Sequence, residues 1–214
     1  MLVLLPLVAV FFLSLDYKKG KITNIFSASL FGVLLGIVYS FCDVLFTFDY
    51  YLAKFSFWTN WFHFGFIEML IPVCIATGLY VLCIKNYTDM FKSLFYLLIG
   101  FFTIYMPVRI ISRNATYHYY LLFFKPTLFL FALLYLRVLI LKTYKIVEKK
   151  GKTVKVILPY VLCMVALLLV PSAIETIWLI GFNSWIWILL SFIYIIVFFS
   201  EKIIEKIHLL LDKS

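Results

Sequence analysis

Charged residues are scarce in this sequence, and that scarcity sets the class of protein. Asp, Glu, Lys and Arg together make up 14% of the 214 residues, whereas a soluble domain has roughly 25%. Hydrophobic residues make up 65%, and the mean hydropathy is +1.09. A soluble domain could not bury that much apolar surface, but a bilayer accepts it when the backbone is satisfied within helices. The composition therefore excludes a soluble globular domain and predicts an all-α, polytopic membrane helical bundle. The net charge of +9 does not suggest nucleic acid, because excess lysine and arginine in a membrane protein normally mark cytoplasmic loops.

Cysteine patterns that would indicate a disulfide framework or a zinc site are also lacking. The four cysteines form no C-x-x-C pair, and each lies in an apolar stretch: Cys42, Cys74, Cys83 and Cys163. Thiols in that setting are typical of inert packing residues. The sequence therefore predicts no metal site and no cofactor.

Apolar runs predict about seven membrane-spanning helices (six to seven), because a spanning helix needs roughly 20 apolar residues. The predicted spans are Met1–Tyr17, Ile22–Phe48, Trp61–Lys85, Lys92–Ser112, Tyr120–Leu141, Val156–Trp178 and Ser184–Ser200. No linker or internal repeat divides them, so residues 1–214 are predicted to form a single integral membrane domain. Residues 201–214 carry apolar positions at helical spacing and are predicted to form a cytoplasmic amphipathic tail.

The uneven distribution of lysine and arginine predicts the orientation of the chain in a cell membrane. The first, third and fifth loops are rich in lysine, and the longest basic run extends from Lys142 to Lys155. Basic loops normally remain in the cytoplasm. The N-terminus is therefore predicted to lie outside and the C-terminus in the cytoplasm, with the cationic face in contact with anionic membrane lipids.

Two aspartates fall on the cytoplasmic face of this predicted topology. Asp16 ends the first predicted span, and Asp89 precedes the fourth. Two carboxylates a few ångströms apart cannot both ionise, so one of them keeps a proton. The ionised carboxylate can then take a proton from water while the protonated one donates to a scissile carbonyl. The pair is a candidate for aspartic-protease chemistry, and two solvated loop acids are the alternative interpretation.

The residues around Asp16 resemble the first motif of the type IV prepilin peptidases and archaeal preflagellin peptidases. That motif reads D-x-R-x-x-x-I-P-N and precedes an apolar span, and the corresponding stretch here reads D-Y-K-K-G-K-I-T-N. Asp16, Ile22 and Asn24 match the motif. Lys18 keeps the charge of the motif's arginine, and Thr23 replaces its proline.

The second motif of that family, G-x-G-D followed by a lysine, is only partly present. It falls on Asn86-Tyr87-Thr88-Asp89, where the aspartate is retained and both glycines are missing. Lys92 lies three residues after the aspartate instead of the usual two. Because glycine permits a positive φ and close backbone approach, the loop here is expected to adopt a different conformation. The resemblance covers Leu2 to Phe102, about half of the chain.

The resemblance implies a membrane-embedded aspartic endopeptidase that removes the short cytoplasmic leader from pilin-like or preflagellin-like precursors. Asp16 and Asp89 would be its catalytic residues, Lys18, Ile22, Asn24 and Lys92 its supporting motif residues, and a precursor's hydrophobic N-terminal helix its partner. The alternative is a non-catalytic polytopic membrane protein, such as an inactive peptidase relative, a transporter subunit or an assembly factor.

A second set of ionisable residues lies toward the opposite, outer ends of the predicted spans. These residues are Glu68, Arg109, Arg113, Lys125 and Glu175. Ionisable residues within spans are functional candidates by default, but these can pair with one another, so we interpret them as structural ion pairs. His63 lies among aromatic residues and is expected to anchor the chain at the membrane interface. Asp43, at the outer end of the second predicted span, is expected to be solvated.

Overall fold

A computed structural model of the protein describes residues 22–46, 56–83, 87–112, 120–150, 154–181 and 184–211. These ranges form six helices, and none of the residues in them forms a strand. Helix α1 is Ile22–Phe46, α2 is Phe57–Cys83, α3 is Tyr87–Ser112, α4 is 120–150, α5 is Val154–Ile180 and α6 is Ser184–Leu211. Two of them contain π-helical segments, His63–Leu70 in α2 and Tyr120–Phe124 in α4.

Five of these helices contain segments that are long and apolar enough to cross a membrane. The segments are Ile25–Leu45, Phe57–Cys83, Ser93–Ser112, Tyr120–Ile146 and Leu158–Ile180. Helix α6 adds a shorter apolar stretch, Trp185–Ser200, and continues to Leu211. The prediction of an all-α membrane bundle is confirmed, and six of the predicted spans correspond to these helices. The first predicted span, Met1–Tyr17, lies outside the described residues.

Helix α3 lies at the centre of the bundle. Its residues Leu97, Leu98 and Ile99 are completely buried, and α1, α2 and α4 pack around it. Helix α1, by contrast, exposes large apolar side chains such as Phe26 and Phe41. An exposed apolar face of this kind is compatible with lipid contact, because lipid tails are as apolar as the side chains themselves.

Helices α1 and α3 pack at backbone contact through glycines on both sides of the interface. A Cβ at Gly32 would collide with the carbonyl oxygen of Leu97, and a Cβ at Gly100 would collide with that of Ser29. Gly36 lies in the same interface, one turn further along α1. Small residues stabilise membrane helix pairs in this way, since close approach replaces the hydrophobic driving force that lipid does not supply.

The same two helices run parallel and in a fixed register. The carboxylate of Asp43 accepts a hydrogen bond from Arg109 at 3.0 Å, a pair separated by 66 positions in the sequence. The ring of Tyr39 packs edge-on against that of Tyr105 at the same separation, with 5.2 Å between centroids. Residues of α3 therefore lie level with residues of α1 that are 66 positions earlier, and both helices begin at the same end of the bundle.

Candidate functional site

The helix that follows Asp16 and the helix that contains Asp89 begin at the same end of the bundle. Helix α1 starts at Ile22, a short distance after Asp16 in the sequence, and Asp89 lies in the first turn of α3. Because the two helices run parallel, the first turn of α1, which contains Thr23, and the first turn of α3, which contains Asp89, lie at the same end of the bundle. We refer to this end of the bundle as the motif end.

The remaining motif residues are described to different extents. Asp16 and Lys18 lie outside the described residues. Ile22 and Asn24 lie in the first turn of α1, and Lys92 lies in the second turn of α3. The described supporting residues of both motifs therefore lie near the motif end, Ile22 and Asn24 on α1 and Lys92 on α3.

At the opposite end of the helices, ionisable side chains from five helices meet in one buried group, the charged cluster. Its members are Asp43, His63, Glu68, Arg109, Lys125 and Glu175. Their side chains are between 2% and 13% exposed. An isolated charge buried to this extent would be very costly, so each member depends on the others for compensation.

Lys125 joins two carboxylates within the charged cluster. Its Nζ donates a hydrogen bond of 2.6 Å to Oε1 of Glu175 and one of 3.1 Å to Oε2 of Glu68. It also lies 5.5 Å from the centre of the Phe64 ring. Hydrogen bonds between charged groups are about twice as strong as neutral ones. Lys125 therefore ties together α2, α4 and α5.

Glu68 connects this lysine to the rest of the charged cluster. Its Oε1 lies 3.2 Å from Nε2 of His63 and 3.7 Å from Nη2 of Arg109. Nη1 of Arg109 in turn donates to Oδ2 of Asp43 at 3.0 Å. The contacts thus form a continuous chain across the bundle, with Glu68 as the member that has the most charged neighbours.

The π-helical segment of α2 explains how His63 and Glu68 meet. The two residues are five positions apart, and both lie within His63–Leu70. In an α-helix, residues five apart are rotated by about 140° and point to different sides. The i→i+5 pattern of a π-helix brings them onto one face. The second π-helical segment, Tyr120–Phe124, ends immediately before Lys125, so both irregular segments adjoin the charged cluster.

A small cavity borders the charged cluster. It has a volume of about 20 Å³, and its lining includes Glu68, Arg109, Lys125 and Tyr105. That volume is enough for roughly one water molecule, which needs two to four polar partners. The cavity is therefore large enough to hold one water molecule beside the carboxylate of Glu68.

The structure corrects three expectations from the sequence. Asp43 is not solvated: its side chain is 13% exposed and bonded to Arg109, because the close packing of α1 on α3 holds the ends of the two helices together. His63 is not an interfacial anchor: it is 3% exposed and contacts Glu68, because the π-helical segment turns it inward. The four cysteines are exposed instead of packed. Arg113, the remaining expected pairing partner, lies outside the described residues.

Among the residues that the structure describes, no group of three or more His, Cys, Asp or Glu side chains is placed to hold a metal ion. No protein-family model, curated protein or solved structure matches this chain. Its function is therefore inferred from the chemistry of the two ends of the bundle.

Proposed function

We propose that the protein is a membrane-embedded aspartic endopeptidase that removes the short cytoplasmic leader from type IV pilin-like or preflagellin-like precursors. The supporting observation is the parallel packing of α1 on α3, because of which both helices begin at the motif end. Each of these helices begins beside one of the two aspartate motifs. Asp16 precedes Ile22 by six residues, and six extended residues span at most about 20 Å. The chain is therefore long enough for Asp16 to reach the start of α3.

The proposed mechanism uses the two carboxylates as one acid–base unit. The ionised carboxylate of the Asp16–Asp89 pair takes a proton from water, and the resulting hydroxide attacks the scissile carbonyl carbon. The protonated carboxylate donates its proton to the carbonyl oxygen. As the tetrahedral intermediate collapses, the carboxyl group that took the proton from water gives it to the leaving nitrogen, the C–N bond breaks, and the other carboxylate regains its proton from a hydroxyl of the intermediate. This releases the leader and the new N-terminus of the precursor and returns both carboxyl groups to their starting states. Lys18 and Lys92 place positive charge beside the site, where their side chains can bind lipid phosphates.

The proposed location is the cytoplasmic membrane, with the motif end facing the cytoplasm. The lysine-rich loops support this orientation, since the first and third predicted loops adjoin the starts of α1 and α3. The substrate's hydrophobic N-terminal helix would remain in the bilayer beside the enzyme, while its leader enters the motif end from the cytoplasm. Recognition of the substrate would then depend on its apolar helix, because a cationic face does not attract a basic leader by charge.

Co-expression with candidate pilin-like precursors tests the proposal. The wild-type protein should shorten a true substrate by the mass of its leader, and Asp16→Asn should leave that precursor intact. Asparagine preserves the shape of aspartate and removes the titrating group. Asp49→Asn, an acid in neither motif, serves as the control and should cut normally. Cleavage by Asp16→Asn at the wild-type rate would refute the two-aspartate mechanism.

The charged cluster favours a second candidate function, that of a transporter subunit without peptidase activity. Ionisable residues within membrane spans commonly mark the paths of ions or substrates, and Glu68 lies beside a water-sized cavity. If this candidate is correct, Glu68→Gln and Glu175→Gln should abolish the cellular function at normal protein levels. Asp16→Asn and Asp89→Asn should then have no effect.

A further inference from the structure

A large apolar groove, the lateral groove, lies on the side of the bundle between α4, α5 and α6. It has a volume of about 660 Å³, against about 20 Å³ for the cavity beside the charged cluster. The described residues that line it lie within the apolar segments Tyr120–Ile146, Leu158–Ile180 and Trp185–Ser200. Ile193 and Val197 line it and are exposed. The lateral groove is therefore open to the hydrocarbon of the surrounding bilayer.

Two tyrosines join the three helices at the lateral groove. Pro171 has no backbone N–H, so the carbonyl of Leu167, four residues earlier in α5, loses its usual helical hydrogen bond. The hydroxyl of Tyr194 on α6 donates to that carbonyl at 3.2 Å. The hydroxyl of Tyr135 on α4 donates to the carbonyl of Tyr194 at 3.3 Å. Because these bonds fix the three helices relative to one another, the lateral groove is a preformed part of the fold.

A lysine lies beyond one end of the lateral groove. Tyr135, Val138 and Leu139 line the groove from α4. Lys142 follows Leu139 by three positions and Val138 by four, a spacing that puts all three on one face of the helix. Lys142 is exposed, and its backbone lies about 5 Å beyond Leu139 along the helix axis. It also begins the basic run that continues to Lys155. The lateral groove therefore combines an apolar lining with a cation at its end.

We propose that the lateral groove binds one acyl chain of an anionic phospholipid, and that Lys142 binds the phosphate of its headgroup. The volume of the groove lies within the range of about 300–1,000 Å³ that is typical of small-ligand sites. Along α5 its lining extends from Cys163 to Ile177, a length of about 21 Å. The hydrocarbon core of a bilayer is about 30 Å thick, so a lipid chain of one leaflet, about 15 Å long, fits this length.

The size of the lateral groove favours a lipid chain over a transmembrane helix of a partner protein. A helix that follows the groove for about 21 Å, with a diameter of about 10 Å, occupies roughly 1,600 Å³. That is more than twice the volume of the groove.

Charge complementarity determines which lipid is bound. Lysine near the membrane surface attracts anionic lipids, and its long stem lets the ammonium group reach the headgroup level. A zwitterionic lipid offers no net charge to Lys142. The proposal does not depend on the peptidase activity, because the groove is formed by α4, α5 and α6 and the motif end by α1 and α3.

Native mass spectrometry of the full-length protein, released from detergent micelles, tests the proposal. Phosphatidylglycerol and phosphatidylcholine with identical acyl chains are titrated separately, and the bound copies are counted. The wild type should bind its first phosphatidylglycerol more tightly than its first phosphatidylcholine by about fivefold, as expected for one lysine beside an anionic headgroup. Equal affinities for the two lipids would overturn the proposal.

A lysine variant locates the headgroup. Lys142→Gln should lower the affinity for phosphatidylglycerol by about fivefold and leave the affinity for phosphatidylcholine unchanged. Lys206→Gln, beyond the groove-lining part of α6, is the matched control and should bind both lipids like the wild type. If Lys142→Gln keeps the full preference for phosphatidylglycerol, the headgroup does not bind at this lysine and the proposal is wrong.

A second variant locates the acyl chain. Ala166 lines the lateral groove, so Ala166→Phe fills it and should lower the affinity for both lipids. Gly78→Phe, which adds the same ring where there is open space on α2, is the matched control and should bind both lipids like the wild type. Unchanged lipid binding by Ala166→Phe would place the chain elsewhere and overturn the proposal. Displacement of phosphatidylglycerol from the wild type by a polyleucine transmembrane peptide would also overturn it, because the groove would then take a helix.

Discussion

At the scale of single residues, Lys125 is the side chain on which the charged cluster most depends. It is the only described cation within hydrogen-bond distance of both Glu68 and Glu175. Removing one partner of a buried ion pair leaves an uncompensated charge, which costs more than the pair itself contributes. The stability of the bundle should therefore respond strongly to this one position.

The corresponding prediction compares two lysines of α4. Lys125→Met should lower the free energy of unfolding by roughly 3–5 kcal/mol, because two carboxylates lose their shared cation. Lys142→Met, at an exposed position of the same helix, should change it by less than about 0.5 kcal/mol. Denaturant titrations of both variants in detergent would measure the difference. Equal stability of the two variants would show that the charged cluster contributes nothing to the fold.

Some members of the charged cluster could be predicted from the sequence and others could not. The predicted spans place Glu68, Lys125 and Glu175 toward the outer side of the membrane, so the sequence predicts that they pair with one another. The contact of His63 with Glu68 cannot be predicted from the sequence, because α-helical spacing sets residues five apart on different faces. The burial of Asp43 cannot be predicted either, because the burial of a helix end depends on how closely the neighbouring helix packs, which hydropathy does not report.

At the scale of secondary-structure elements, the glycine-lined contact of α1 with α3 sets the geometry of both ends. It brings the first turns of the two helices to the motif end, and it brings Asp43 to Arg109 at the other. The apolar runs predicted the helices themselves. They could not predict the two π-helical segments, because one extra residue per turn changes neither the length of an apolar run nor its mean hydropathy appreciably.

Alanine substitutions at three glycines test this contact. Gly32→Ala and Gly100→Ala should each lower the free energy of unfolding by roughly 1–3 kcal/mol, because the added Cβ meets backbone atoms that must move. Gly78→Ala is the matched control: it has open space around it, and alanine is the better helix former there. If the interface variants unfold like the control, the helices do not pack as closely as described.

At the scale of the whole molecule, the two ends of the bundle carry different chemistry. The motif end holds the starts of α1 and α3, and the charged cluster lies at the opposite ends of these helices. The lysine distribution predicts which of the two faces the cytoplasm, a property that helix packing alone does not determine. The division into two ends therefore comes from the structure, and their assignment to sides of the membrane comes from the sequence.

A reporter fusion tests the assignment of sides. A reporter that is active only in the cytoplasm, fused after Ser214, should be active, because the lysine-rich loops are predicted to remain inside. A reporter that is active only outside should be silent at the same position. The reverse pattern would move the motif end to the outer face, where a cytoplasmic leader could not reach it.

The proposed peptidase requires Asp16 and Asp89 to act as one catalytic unit. Asp89 is the residue to test first, because the glycines of its motif are missing. The most direct measurement is the rate of leader removal by Asp89→Asn, determined by mass for a precursor that the wild type cuts. We predict that cleavage is abolished while the protein remains folded, and that Asp16→Asn/Asp89→Asn is no worse than either single variant, as expected for groups that act together. Full cleavage by Asp89→Asn would contradict the account.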